Sequence, residues 1–596
     1  MSIGSIISHA QIGRSALKII PKKYIEVFRG RLATTNALPQ LVVLGILTGV
    51  VTALVIIAFR LLIEHSGELL GVAGGEAFET LAVEKRIAMV LLGAALLALL
   101  MNRYSPSARR VGVVHVMERL SRHQGYLPLR NAAIQFIGGA IALISGQSGG
   151  REGPAIHLGA TSASLLGQQF ALPNNSIRTM VACGTAAAIA SSFNTPIAGV
   201  IFAMEVVMME YTIASFIPII VAAVSSTLVT QLVFGSAPAF NVAPASMNSL
   251  LEIPYLLLGG LLIGAIASGY TTAIQRFARL SDWPFRLRIM LAGGATALTA
   301  VVVPQVMGVG YDTVNQIMLG QISILLLVAI LFAKALTSAA AVGLGMPVGL
   351  IGPTMVLGAC VGGIFANTLN QVADTSVSIG LYVMLGMCAM MAAVLQAPLA
   401  ALMAVLEMTA NTNIILPAMV IIVVATLVAS QLFGQRSVFI TTLKTLGLEY
   451  PPSPVTQHLQ RVGATAIMDR SFVRLPEQIT NAQAKALLED PPDWILVDRT
   501  DGKPGDIRAL LNPSDLSAFM QERGAQEAHI GLLELPGQRM DVTSIDAQAT
   551  VLEAQQAMSD AQVEACCVHR LSAPMIRPVI GVLTQTHINT YRNRTE

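Results

Sequence analysis

Charge is scarce in this chain. Only 12% of its 596 residues are Asp, Glu, Lys or Arg, whereas 54% are hydrophobic, and mean hydropathy is +0.66. Soluble domains usually carry about a quarter charged residues, so an aqueous fold with ordinary surface chemistry is excluded. A net charge of +3 is too small for a nucleic-acid footprint. Cysteine is also scarce. Cys183, Cys360 and Cys388 fall in apolar runs and read as core packing, and the vicinal Cys566-Cys567 lacks a metal-ligand spacing. The first forty residues lack a short apolar core with a small-residue cleavage site, which excludes a secretory signal peptide. Arg14, Lys18, Lys22, Lys23, Arg29 and Arg31 stand there instead, ahead of Leu41. A basic flank before the first membrane segment predicts a cytoplasmic N-terminus.

What is abundant is apolar sequence. Leu41–Ile63, Phe216–Val233, Leu256–Ile274, Ile322–Ala341 and Ile414–Leu432 are long enough to enter or cross a hydrocarbon core of roughly 30 Å. Ala88–Met101 and Ala182–Ala190 are too short to span alone. The mixture predicts an all-α polytopic membrane protein with tilted and broken helices.

Within this apolar sequence two phrases are written twice. Gly150-Arg151-Glu152-Gly153-Pro154 and Gly349-Leu350-Ile351-Gly352-Pro353 both open G-x-x-G-P-x-x-x-L-G-A, 199 residues apart (353 − 154). Asn194-Thr195-Pro196 leads to Glu205, and Gln396-Ala397-Pro398 to Glu407, 202 residues apart (398 − 196). Two repeats follow, at about 41–235 and 250–446, inside a membrane domain of 41–446 after a cytoplasmic segment 1–40. Gly/Pro-broken apolar segments in corresponding places of two repeats point to a transport path, with its site at the breaks. Pro in the first turn of a helix costs no hydrogen bond, and glycine lets backbone approach a ligand. A helix start carries unpaired N–H groups and about half a positive charge. Two such starts aimed at one point form an anion site that both binds and releases.

The membrane texture stops near Gly447, and Tyr450-Pro451-Pro452-Ser453-Pro454 reads as a stiff linker (447–456). In 457–596, Asn481–Leu488, Trp494–Asp498 and Ala509–Phe519 are echoed by Ala547–Met558, Ala565–His569 and Gly581–Ile588, a small α/β domain in two halves. It resembles a pair of cystathionine-β-synthase-type (CBS) repeats.

The membrane motifs resemble those of the CLC chloride channels and proton/chloride exchangers. Gly150 to Pro154 is similar to G-[KR]-E-G-P, and Gly349 to Pro353 to G-x-F-x-P, with Ile351 in place of Phe. Glu407-Met408-Thr409 with Ile415-Leu416-Pro417 resembles E-[ML]-T-x-x-x-x-x-[IL]-P. The resemblance implies two inverted-topology repeats, a homodimer with a pore in each subunit, and placement in the cell (inner) membrane with the CBS pair cytoplasmic. It implies chloride or a related anion as substrate, protons as regulators or partners, and no required cofactor. Glu152 becomes the gating glutamate: ionised, it occupies the outer anion position; protonated, it swings out. Backbone and lining of Val111, Gly112, Val113, Gly150, Arg151, Gly153, Leu350, Ile351, Gly352 and Phe439 would hold the anion. Arg151 is expected as an anchor or electrostatic attractant, and Glu205 and Glu407 as buried acceptors for loop amides.

This chain also departs from the family. Its anion-binding Ser falls on Val111, its inner Tyr on Phe439, and the inner proton-collecting Glu on Val206. The losses predict passive or weakly coupled chloride conduction, with stoichiometric proton/chloride exchange as the alternative, and a hydrophobic lining that favours nitrate or thiocyanate. In the CBS pair, the adenine-nucleotide elements fall on Asn512, Asp515 and Thr584, each keeping half of the family's hydroxyl–carboxylate pattern. Two remoter readings are a nucleotide-sensing receptor and an intramembrane serine protease using Ser148, in Gly146-Gln147-Ser148-Gly149-Gly150, with His157; otherwise nothing points to an enzyme. His157 is expected as a satisfied interior histidine.

Overall fold

A computed structural model describes residues 38–72, 77–211, 213–240, 246–247, 249–372, 377–445, 447, 459–499, 507–522, 528–570 and 578–595. Nearly all of the expected segment 1–40 and linker 447–456 lies outside the described residues. Contacts divide the chain into two compact units, one spanning Leu41–Gln168 and Ile177–Pro451, the other holding the C-terminal region.

The first unit is helical, and among the described residues its α-helices form two sets of eight followed by one more. The first set is α1 (Leu38–Leu69), α2 (Val83–Asn102), α3 (Gly112–Arg122), α4 (Leu129–Ile144), α5 (Glu152–Gln169), α6 (Asn174–Phe193), α7 (Pro196–Phe202) and α8 (Ile213–Phe234). The second is α9 (Ile253–Ala278), α10 (Phe285–Val302), α11 (Tyr311–Met318), α12 (Ile324–Gly343), α13 (Ile351–Val372), α14 (Ile379–Leu395), α15 (Pro398–Thr409) and α16 (Ile415–Leu427), followed by a short α17 (Val438–Thr445). Proline starts α7 and α15, where its missing N–H is harmless. Ser323 and Ser378 cap α12 and α14 by accepting from Leu326 and Leu381 N–H.

The duplication extends to how the helices cross. Gly159 on α5 meets Gly184 on α6 so closely that a Cβ on either would lie 2.4 or 2.2 Å from the other's carbonyl oxygen. Gly358 on α13 and Gly386 on α14 repeat this at 2.3 and 2.2 Å. Their separations, 199 (358 − 159) and 202 (386 − 184), equal those of the two duplicated phrases. Small residues that let backbones touch are the ordinary means of packing helices in lipid. Every residue of α14 from Gly380 to Leu395 is buried, as a helix apolar all round should be. By contrast Leu54, Leu232, Leu258, Leu298, Leu325 and Leu416 are exposed on the unit's outer surface, which suits a hydrocarbon solvent.

Among the described residues, seven helices are long and apolar enough to cross a membrane. They include all five long stretches expected from the sequence, and add Phe285–Val302 and Ile351–Gln371, whose glycines and polar residues dilute their hydropathy.

The second unit has two similar halves. In the first, β1 (Phe472–Leu475), β2 (Gln478–Thr480), α18 (Asn481–Glu489), β3 (Trp494–Asp498), β4 (Ile507–Leu511) and α19 (Pro513–Glu522) are followed by β5 (His529–Gly531). The second runs β6 (Val542–Asp546), α20 (Val551–Ala561), β7 (Ala565–His569), β8 (Val579–Thr584) and α21 (Gln585–Thr595). The sheets β1-β3-β4 and β6-β7-β8 each pair the first two strands parallel and the last two antiparallel, with an irregularity after Val497 in one and after Val568 in the other. The sequence reading found the helices and the inner strands. It missed β1, β2, β5 and β6, which carry no apolar run long enough to stand out.

Candidate functional site

The two G-x-x-G-P phrases meet. Gly150 and Gly349 form an antiparallel bridge in which each N–H donates to the other's carbonyl at 2.7 Å. Equivalent residues touching reciprocally is what a two-fold relation between the repeats requires. The pattern recurs beside it. The Glu205 carboxylate accepts from Leu399 N (3.3 Å) and Ala400 N (2.8 Å) at the start of α15, and the Glu407 carboxylate from Ile197 N (3.0 Å) and Ala198 N (2.8 Å) at the start of α7. Each repeat thus caps a broken helix of the other, and both glutamates are structural acceptors, as expected.

Glu152 opens α5 and is fully buried. Its Oε2 accepts from Gly352 N at 3.3 Å, and its Oε1 from the Tyr311 hydroxyl at 2.5 Å. A buried carboxylate between two donors, one of them a helix-start amide of the opposite repeat, occupies a place built for negative charge. Gly150 makes room for the carboxylate here: a Cβ would lie 1.9 Å from Glu152 Oε2. A Cβ on Gly153 would lie 2.8 Å from Gly349 Cα, and one on Gly352 3.3 Å from Glu152 Oε1. Leu350 and Ile351 are buried and their carbonyls accept from Thr354, the first through N–H and the second through Oγ1. The Arg151 guanidinium lies 5.3 Å from the centre of the Tyr311 ring, and its Nη1 3.9 Å from Glu64 on α1.

On the other flank, Val111 precedes α3 in extended conformation, and Gly112 takes φ +77°. The Gly112 N–H donates to Gln135 Oε1 at 2.8 Å, so this amide and that of Gly150 already have partners. Val113 and Phe439 are buried, and α17 packs on α3. An open cavity of about 450 Å³ is lined by Gln396, Gln431, Gln435, Arg436 and Ser437 among others. Val206 is buried in a π-helical continuation of α7. His157 is buried and shares a 2.8 Å hydrogen bond with His115 of α3; Ser148 Oγ instead accepts from Thr337. The G-x-S-x-G serine therefore meets no histidine.

Sequence reasoning missed three participants. Tyr311 and Gln135 lie far from the motifs, and Lys334, fully buried, donates to the carbonyls of Val306 (3.0 Å) and Gly308 (2.8 Å), fixing the loop before α11. For Tyr311 a signal existed: it stands 199 residues after Gly112 (311 − 112), so the repeat that places α3 also places α11.

A model of the voltage gated chloride channel family matches residues 93–430, more than half of the sequence. The chain belongs to this family. The H+/Cl- exchange transporter ClcA of Yersinia pestis is 28% identical over 439 residues, covering 71% of this chain and 92% of that protein. Among solved structures, a slow cyanobacterial Cl-/H+ antiporter matches with TM-score 0.60 at 22% identity, covering 70% of this CLC chain and 98% of its own. A eukaryotic CLC transporter matches with TM-score 0.58 at 19% identity, covering 95% and 98%. The helical unit therefore has the CLC fold.

In the second unit Asn512 Oδ1 accepts from Ser514 N (3.0 Å) and Oγ (2.7 Å), while Asp515 lies against Gly537. Thr584 and His587 bond reciprocally: Thr584 N donates to His587 Nδ1 at 3.2 Å, and His587 N to Thr584 Oγ1 at 3.4 Å. The three residues expected at a nucleotide thus serve as helix starts.

Proposed function

We propose that this CLC protein moves chloride across the inner membrane in exchange for protons, with Glu152 as the residue both ions use. One observation carries the reading: the Glu152 carboxylate, buried between Gly352 N–H and Tyr311 O–H, fills a site whose donors suit any small anion. Ionised, it competes with chloride; protonated, it loses its claim on those donors and yields the place. The sequence favours passive or weakly coupled conduction because Val206 stands where an inner proton carrier is usual. The exchange activity named for the ClcA relative weighs for tighter coupling.

The deciding measurement is chloride-driven proton movement in proteoliposomes. A fixed ratio of proton to chloride flux is expected; chloride flux with no proton movement would return the protein to passive conduction. The same reading makes the protein a homodimer with its C-terminal unit in the cytoplasm. The fold match that covers 95% of the chain and the repeated β-α-β-β-α halves support that unit as a CBS pair, with an adenine nucleotide as its candidate ligand.

A further inference from the structure

The loss of hydroxyls at Val111 and Phe439 leaves the carboxylate's other flank as the place where a side-chain donor reaches the path. There Tyr311 begins α11 after Gly310, which takes φ +92°, a conformation that suits glycine and turns the chain into the helix. Its ring is buried between Phe193 (centroids 6.1 Å apart) and Phe240 (5.8 Å, edge to face), with the Arg151 guanidinium over one face. Lys334 of α12 ties down the preceding loop. So held, the ring has one direction for its hydroxyl, and that direction ends on Glu152 Oε1.

We propose that Tyr311 is a positioning residue that latches Glu152 in the anion site: its hydroxyl donates to the ionised carboxylate and favours the seated state over the swung-out one. A donor to a carboxylate is charge-assisted and about twice as strong as a neutral hydrogen bond. Protonation of Glu152 removes that advantage, so the latch releases when the gate neutralises. The inference rests on Glu152 being the gate. The charged groups that face this site are Arg151 and, through it, Glu64 and Arg60 of α1, Lys334 of α12, and the Glu79–Asp312 carboxyls beside the start of α11; Tyr311→Phe leaves all of them in place.

The test is chloride efflux from proteoliposomes across pH, for wild type, Tyr311→Phe, Glu152→Gln and the double variant, each also with Glu79→Gln. Tyr311→Phe is expected to shift the flux–pH midpoint upward by about one unit, with a cooperative melt in detergent showing that the protein is folded. The shift should persist with Glu79→Gln and vanish with Glu152→Gln. An unshifted midpoint in Tyr311→Phe, or an equal change in the Glu152→Gln background, would overturn the latch while leaving the gate intact. Wild-type flux that ignores pH, or a Glu152→Gln variant that keeps the wild-type response, would overturn the gate and the latch with it.

Discussion

Glu152 sits where single atoms decide the outcome, since its carboxylate has a helix amide and a phenol as donors and glycine α-carbons as walls. Glu152→Gln keeps the shape and removes the charge. Anion flux in the variant is expected to be nearly independent of pH, and proton coupling to disappear, as measured in proteoliposomes; a variant that retained wild-type coupling would place the proton elsewhere. A second titration lies nearby. Burial, and then the neighbouring Asp312 carboxyl, push the Glu79 carboxyl up to about 7. Glu79 lies in the short turn Phe78–Thr80 between α1 and α2, outside the spanning helices. Its folded-state affinity for a proton is raised, so it contributes stability below the ordinary carboxylate range that is lost as pH rises through about 7. Thermal melting in detergent should show a fall in Tm between about pH 4.5 and about 7 that Glu79→Gln removes. An identical fall in the variant would assign it to another group.

At the scale of elements, each broken helix is completed by the other repeat. α7 and α15 start with proline and lack a side-chain cap from their own N-cap residue; Glu407 and Glu205 supply it across the two-fold. Glu407→Ala leaves the Ile197 and Ala198 amides without their acceptor and should destabilise the protein by roughly 2 kcal/mol, read as a lower Tm. The flux–pH midpoint should stay where it was, because Glu407 does not touch Glu152. A shifted midpoint with unchanged Tm would make Glu407 part of permeation. The duplicated phrase announced the break points, and its spacing to Glu205 and Glu407 was equally legible. That the carboxylates cross over to cap the opposite repeat was not, since nothing local distinguishes a cap for one's own helix from a cap for a partner's.

For the whole molecule, the open question is what the C-terminal unit contributes. If its clefts receive an adenine nucleotide, Asp515 is the carboxylate available to ribose hydroxyls, whereas Thr584 is held by His587. Asp515→Ala should then weaken ATP or AMP binding to the full-length protein in detergent by about tenfold, the worth of one hydrogen bond to a charged group. Calorimetry showing no heat with wild type at millimolar nucleotide would leave the unit a scaffold. Proton-to-chloride stoichiometry belongs to the same scale, because coupling depends on both flanks of the barrier together.

The sequence by itself determined the membrane class, the duplication and the positions of the helix breaks, and it singled out Glu152 as the candidate gate, because these rest on composition, period and short motifs that are local in the chain. It also marked Val111, Val206 and Phe439 as departures. Only the tertiary structure decided which amides face the carboxylate. Gly112 and Gly150 carry the right motif, yet their N–H groups are taken by Gln135 and by Gly349, while Gly352 reaches Glu152. It likewise decided that a tyrosine 159 residues from Glu152 (311 − 152) supplies the second donor. Hydrogen bonds between distant residues follow from how helices cross, and helix crossings are set by backbone contacts such as Gly159 with Gly184 that no linear pattern records.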